Sequence, residues 1–130
     1  MTIILLMCCM QFTLAQEKKK AKSKPSPKSI SFNITSAEYQ RLLGGPPDTY
    51  SMHSGLVTLA PGKTVGKHNT EQYEEAIVVL QGEGTMTTKD GVILPLKFGR
   101  MLYCPPHTEH DVQNIGNDPL KYIYIVAKTK

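Results

Sequence analysis

From Tyr50 onward, short apolar runs alternate with turn-forming pairs, and that rhythm restricts the fold more than any other feature of the chain. SMHSGLVTL precedes Pro61-Gly62, EAIVVLQ precedes Gly82 to Gly84, and TMTT precedes Asp90-Gly91. VILPL is followed by Gly99, MLYC by Pro105-Pro106 and HDVQN by Gly116 to Pro119, and LKYIYIVA closes the series. Runs this short are the length of strands, and many such strands joined by turns close into a sandwich or barrel. The expected fold class is therefore all-β. Thr88-Lys89-Asp90-Gly91 has the chemistry of a hairpin turn, with glycine free to take positive φ. The last run, Leu120 to Ala127, is apolar on both parities, with Ile123 and Ile125 on one side and Leu120, Tyr122, Tyr124 and Val126 on the other. Such a strand is expected to be covered on both faces, by the core and by the N-terminal segment or a second subunit.

A chain of 130 residues supports one core and is too short for two. Ahead of that core, Ile3 to Leu14 is apolar, and Thr13-Leu14-Ala15 precedes Gln16 with small residues where a signal peptidase reads. Residues 1–15 are read as an export signal, which places the mature protein in the periplasm or outside the cell. The stretch is far short of the ~20 apolar residues that a spanning helix needs, so no transmembrane span is expected. A lipoprotein signal on Cys8 or Cys9 is the lesser alternative, because neither Met7 nor Cys8 is the small residue expected before a lipidated cysteine. Loss of the signal leaves Cys104 as the only cysteine, which excludes an intrachain disulfide and calls for a buried thiol.

The net charge of +4 is unevenly placed. Lys18, Lys19, Lys20, Lys22, Lys24 and Lys28 hold six of the fifteen basic residues, leaving nine against ten acids from Ser29 onward. Residues 16–28 therefore read as a basic disordered linker, residues 29–130 as a nearly neutral domain, and no nucleic-acid partner is expected. At the start of that domain, Ser29 to Ile34 alternates with the period of a half-buried edge strand. Thr35 and Glu38 then fit a capping box, and AEYQRLL ends at Gly44-Gly45, so one short N-terminal helix is expected here.

The residues that carry chemistry lie between Gly62 and Asn114. His68 and Glu75 flank a loop and an apolar strand, and His110 follows the turn CPPHTEH. Residues two apart on a strand share a face, so His110, Val112 and Asn114 point to one side, and only one of Glu74 and Glu75 faces inward. Two imidazoles and a carboxylate meeting inside a small barrel suit a divalent transition metal, zinc, nickel, iron, manganese or copper. Taken singly, either histidine has a simpler explanation as a hydrogen-bonded core residue.

The spacing Gly62-x5-His68-x-Thr70-x4-Glu75-x6-Gly82 resembles the first motif of the cupin superfamily, with Thr70 where a second histidine is usual. Gly99-x5-Pro105-x-His107-x2-His110-x3-Asn114 resembles the second motif, with His107 in place of a glycine. The resemblance covers Tyr50 to Ala127 and implies a small conserved-barrel cupin, a double-stranded β-helix or jelly roll with an interior pocket, and a homodimer. It selects His68, Glu75 and His110 as metal ligands and leaves Glu74 in solvent. Thr70, Gln72, His53, His107 and Tyr103 remain as candidates for lining the pocket. Each also has a plain reading: Gln72 as an exposed loop residue, His53 as a packed histidine, His107 as a turn residue that tolerates a left-handed backbone, and Tyr103 as core or interface.

Three functions stay open on these residues. The first is a metal-dependent enzyme of oxygenase, isomerase or decarboxylase type; the second is a module that binds a small molecule without turnover; the third is a dimeric scaffold with a degenerate metal site. The chain has no phosphate-cradling glycine loop and no nucleophile elbow. Together these features lead to the expectation of an exported cupin-like protein that binds a divalent metal and a small-molecule ligand.

Overall fold

The computed structural model describes residues 24–130; the export signal and residues 16–23 of the linker lie outside the described residues. Among the described residues there are nine strands and no helix. In chain order they are β1 (Gln40–Gly44), β2 (His53–Leu59), β3 (His68–Asn69), β4 (Tyr73–Gln81), β5 (Glu83–Thr88), β6 (Ile93–Lys97), β7 (Met101–Cys104), β8 (Glu109–Asn114) and β9 (Leu120–Lys128). They form a five-stranded sheet in the order β1-β2-β9-β4-β7 and a four-stranded sheet in the order β3-β8-β5-β6. The pairings are antiparallel throughout, the arrangement of a jelly roll.

The period-2 pattern of the sequence explains which side chains fill the space between the sheets. On β4, Glu75, Ile77 and Val79 are buried while Glu74 is exposed. The first sheet contributes Ile77, Val79, Leu102, Leu120 and Tyr122 to the core, and the second contributes Met86, Leu96 and Val112. The expected hairpin forms at residues 88–91, where the Gly91 amide donates to the Thr88 carbonyl at 3.0 Å and Gly91 takes a φ of 84°. Between β4 and β5 the chain changes sheets at Gly82, whose φ is 79° and where a Cβ would lie 2.6 Å from the Pro119 carbonyl oxygen.

Two expectations at the N-terminus are corrected. The short helix over AEYQRLL does not form. Asn33 Oδ1 accepts from the Thr35 amide at 2.9 Å and from its hydroxyl at 2.7 Å, making a turn, and Gln40–Gly44 pairs with β2 as an edge strand. So few residues give a helix little return for its unfavourable nucleus, whereas the free edge of β2 offers a ready row of backbone partners. Ser29 to Ile34 joins no ladder, because β1 already occupies that edge, and Ile34 lies in a turn. This segment instead lies over the outer face of the sheet at Thr58 and Lys121, which face each other across β2 and β9. The Lys121 ammonium, buried there, donates to the carbonyls of Ile34 and Ser36, and the Thr58 hydroxyl donates to Ser36 at 3.3 Å. Cover for the outer face of β9 from the N-terminal segment is thus found as expected.

Asn114, fully buried at the end of β8, ties two loops together. Its Nδ2 donates to the carbonyls of Leu59 at 2.8 Å and Asp118 at 2.9 Å, and its Oδ1 accepts from the Gly116 amide at 2.9 Å. Asn114→Ala strands two carbonyls and an amide inside the barrel, and is expected to lower the unfolding free energy by roughly 2–4 kcal/mol. Urea denaturation should show a lower midpoint with an unchanged slope.

Candidate metal centre

β3 and β8 pair so that His68 stands directly opposite His110. Their rings are 4.3 Å apart between centroids and inclined at 60°. Glu75 reaches them from β4 in the facing sheet, where strand parity turns it inward and buries it. One ligand atom from each of the three lies within 4.8 Å of the others.

Backbone carbonyls decide which nitrogen each histidine offers. His68 Nδ1 lies 2.9 Å from the Gly66 oxygen, and His110 Nδ1 lies 3.3 Å from the Thr108 oxygen. A carbonyl only accepts, so Nδ1 carries the proton in both rings and Nε2 is left as a bare lone pair. At His110 that lone pair is buried and has no hydrogen-bond partner, although Glu75 Oε2 stands 3.2 Å away, close enough for an ion pair but off the line of a hydrogen bond. Two electron-rich atoms facing each other in a buried site call for a cation between them. A proton meets part of that need: burial alone would push the His110 pKa down, but the Glu75 carboxylate, the Thr108 carbonyl and the Asp111 charge more than reverse this and hold it above the ordinary histidine value. A divalent metal would meet it fully, since His68 and His110 could each offer it Nε2 and Glu75 an oxygen. The residues present fit such an ion.

The three groups form the polar end of a cavity of about 630 Å³. Val57, Leu59, Val65, Val112 and Val126 supply apolar wall, and four tyrosines add aromatic surface. Of the other residues singled out from the sequence, Thr70 and His53 line this cavity. His53 is half-buried, edge-on to Tyr73 at 6.2 Å, and its imidazole fills the space where a Cβ on Gly45 would sit.

Thr70 is committed elsewhere. Its hydroxyl donates to the Pro105 carbonyl at 2.8 Å and accepts from the Thr108 amide at 3.0 Å, while its own amide donates to the Thr108 carbonyl at 3.1 Å. Where a further metal ligand would stand, this chain has a clip that fastens the β3 loop to the turn before β8.

Gln72, His107 and Tyr103 do not line the cavity. Gln72 is exposed, and its carbonyl accepts from the amide and hydroxyl of Thr129, both at 2.8 Å. His107 adopts a φ of 58° on an exposed turn and donates its amide to Glu71 at 2.8 Å, which is the turn role. Tyr103 has the outward parity of β7 and is 58% exposed, with its hydroxyl donating to Glu74 Oε2 at 3.2 Å. The inward position beside it belongs to Cys104, buried with its sulfur 3.5 Å from His110 Nδ1, and burial raises the thiol pKa. Sequence reasoning missed Tyr39, which it had placed on a helix and which lines the cavity. The available signal was Gly55 inside an otherwise regular strand, a mark of close approach by another group.

The sequence profile of the cupin domain family matches residues 55–126. The chain belongs to the cupin family. An uncharacterized protein of Methanocaldococcus jannaschii is 37% identical to this cupin over 73 residues, 56% of each chain. The oxalate-binding protein of Thermotoga maritima is 31% identical over 68 residues, 52% of this chain and 55% of its own. The cupin thus spans about half the length of these curated relatives. Among solved structures, a double-stranded β-helix cupin of Methanocaldococcus jannaschii superposes with a TM-score of 0.67 at 22% identity, covering 78% of this chain and 91% of its own.

The clip at Thr70 makes a direct prediction. Thr70→Val removes both hydroxyl bonds from a buried position and is expected to destabilise the fold by roughly 1–3 kcal/mol. Thr70→Ser, which keeps the hydroxyl, should recover most of that loss in the same denaturation experiment.

Proposed function

We propose that this cupin is a metal-dependent binding protein for a small oxygen-donor ligand, with one divalent transition metal held by His68, Glu75 and His110. The observation that carries the reading is the pair of Nε2 atoms left bare by backbone carbonyls and converging with a buried carboxylate. Three protein donors leave positions open on such an ion, and the bound metal supplies Lewis acidity toward a ligand oxygen. Glu75 and His110 are buried and hold their places, while His68 stands at the exposed side. The apolar walls shield the ligand from water, which strengthens each polar contact made at the closed end. Burial raises the pKa values of Tyr122 and Tyr124, so both phenols stay protonated and act as hydrogen-bond donors. The relative named for oxalate binding supports a small organic acid as the class of ligand.

The test is metal analysis of protein purified without chelator. About one nickel, zinc, iron, manganese or copper ion per chain is expected. His110→Ala and His68→Ala should each lower occupancy at least tenfold under the same dialysis. Wild-type protein that carries no metal and takes none up on addition would overturn the reading.

Export and dimer formation belong to the same proposal. Export is supported by the apolar stretch from Ile3 to Leu14. A dimer is supported by Met101 and Tyr103, 67% and 58% exposed on the outer face of β7. A mature chain that begins at Gln16 and sediments at twice its monomer mass is the expected result, and a retained N-terminus or a monomer at micromolar concentration would refute the respective half.

A further inference from the structure

Tyr39 precedes β1 and lies outside the segment that matches the family profile, yet it lines the cavity. Its surroundings hold it there. The Asn33 amide donates to Gln40 Oε1 and Gln40 Nε2 donates to the Asn33 carbonyl, both at 2.8 Å, so Gln40, the residue after Tyr39, is clamped. Lys121 and Thr58 anchor the carbonyl of Ser36 three residues before it. Gly55 makes room: a Cβ there would come within 2.6 Å of the Tyr39 ring and 2.9 Å of the Tyr124 ring. Glycine weakens a strand interior, and the ring seated on Gly55 accounts for its presence.

The hydroxyls of Tyr39 and Tyr124 are 2.8 Å apart. One donates to the other, which leaves one phenolic proton free for an acceptor. Burial, together with the hydrogen bond to Tyr39, keeps Tyr124 neutral. Tyr124 faces Ile77 on β4, whereas Glu75 faces Val126. The Tyr124 position is therefore offset along the sheet from that of Glu75 by about 7 Å along the strands and about 5 Å across them. Among the described residues no lysine or arginine lines the cavity, and Glu75 is its one carboxylate. A second carboxylate on a ligand would lose its hydration there with no cation to replace it.

We infer that the cavity selects a ligand with a metal-chelating oxygen head, an apolar body of aromatic size and a hydrogen-bond acceptor at its far end, and that the phenol pair of Tyr39 and Tyr124 reads that end. This rests on the metal-binding reading above. It separates the cupin from an oxalate binder, since oxalate has no apolar surface to set against the valine walls and nothing to reach the phenols.

The experiment is calorimetric titration of nickel-loaded protein, its metal content measured on the same sample, with oxalate, pyruvate, phenylpyruvate and 4-hydroxyphenylpyruvate. Phenylpyruvate is expected to bind roughly tenfold or more tighter than pyruvate or oxalate. The ring hydroxyl should add a further gain of about three- to tenfold. Replacing both phenols, Tyr39→Phe with Tyr124→Phe, should erase that further gain at unchanged metal content, a selectivity change that mere loosening of the arm would not single out. Oxalate or pyruvate binding as tightly as phenylpyruvate to metal-loaded protein would overturn this inference alone, as would a hydroxyl gain that survives the double substitution. Wild-type protein that binds no nickel would overturn the metal reading and this inference with it.

Discussion

The register between β3 and β8 is the constraint on which the site depends. It sets His68 opposite His110, and slipping it by one residue would turn one imidazole out of the barrel. A strand of two residues cannot hold a register by its own ladder. The surrounding loops do so instead. The Val65 amide donates to Val112 at 3.0 Å, Gly66 donates to Asp111 Oδ1 at 2.9 Å, and His107 donates to Glu71 at 2.8 Å. Thr70 adds its bonds to Pro105 and Thr108. At the far end of β8, Asn114 exchanges backbone bonds with Gly62 and Lys63 and secures the loop behind Leu59. Much of the polar chemistry of the two motifs therefore keeps the two histidines in place, and only a small part of it faces the cavity.

The same need for a fixed register explains the departure at Thr70. An imidazole at that position would offer a metal donor but would lose the compact hydroxyl that both gives to Pro105 and receives from Thr108. This chain keeps a three-residue donor set and gains a fastened turn. Because the carbonyls of Gly66 and Thr108 already fix the tautomers of His68 and His110, the smaller set still presents its lone pairs toward one point.

Strand parity made a large part of this legible in the sequence. It lets only one of Glu74 and Glu75 face inward, the motif resemblance choosing Glu75, and it brings His53 to the side of Val57 and Leu59; these placements hold in the barrel. Pairing His68 with His110 needed the motif resemblance, since no local rule links residues so far apart in the chain. The N-terminal segment misled for a physical reason. Its capping residues are real turn formers, and whether a helix or an edge strand comes after them depends on β2, whose free edge is a tertiary feature. Tyr39 was hidden by that error. Tyr103 and Cys104 show the converse, because once β7 is a strand, alternation alone sends the thiol inward and the phenol outward.

The unequal burial of the two histidines has a kinetic meaning. His110 is 1% exposed, with Glu75 beside it, whereas His68 is open to solvent. An ion taken up by the barrel would meet His68 before the interior pair and would part from it last. Exchange would then be gated at a single side chain on a two-residue strand. The loop from Gly62 to Thr70, which carries that side chain, would set how long such an ion stays.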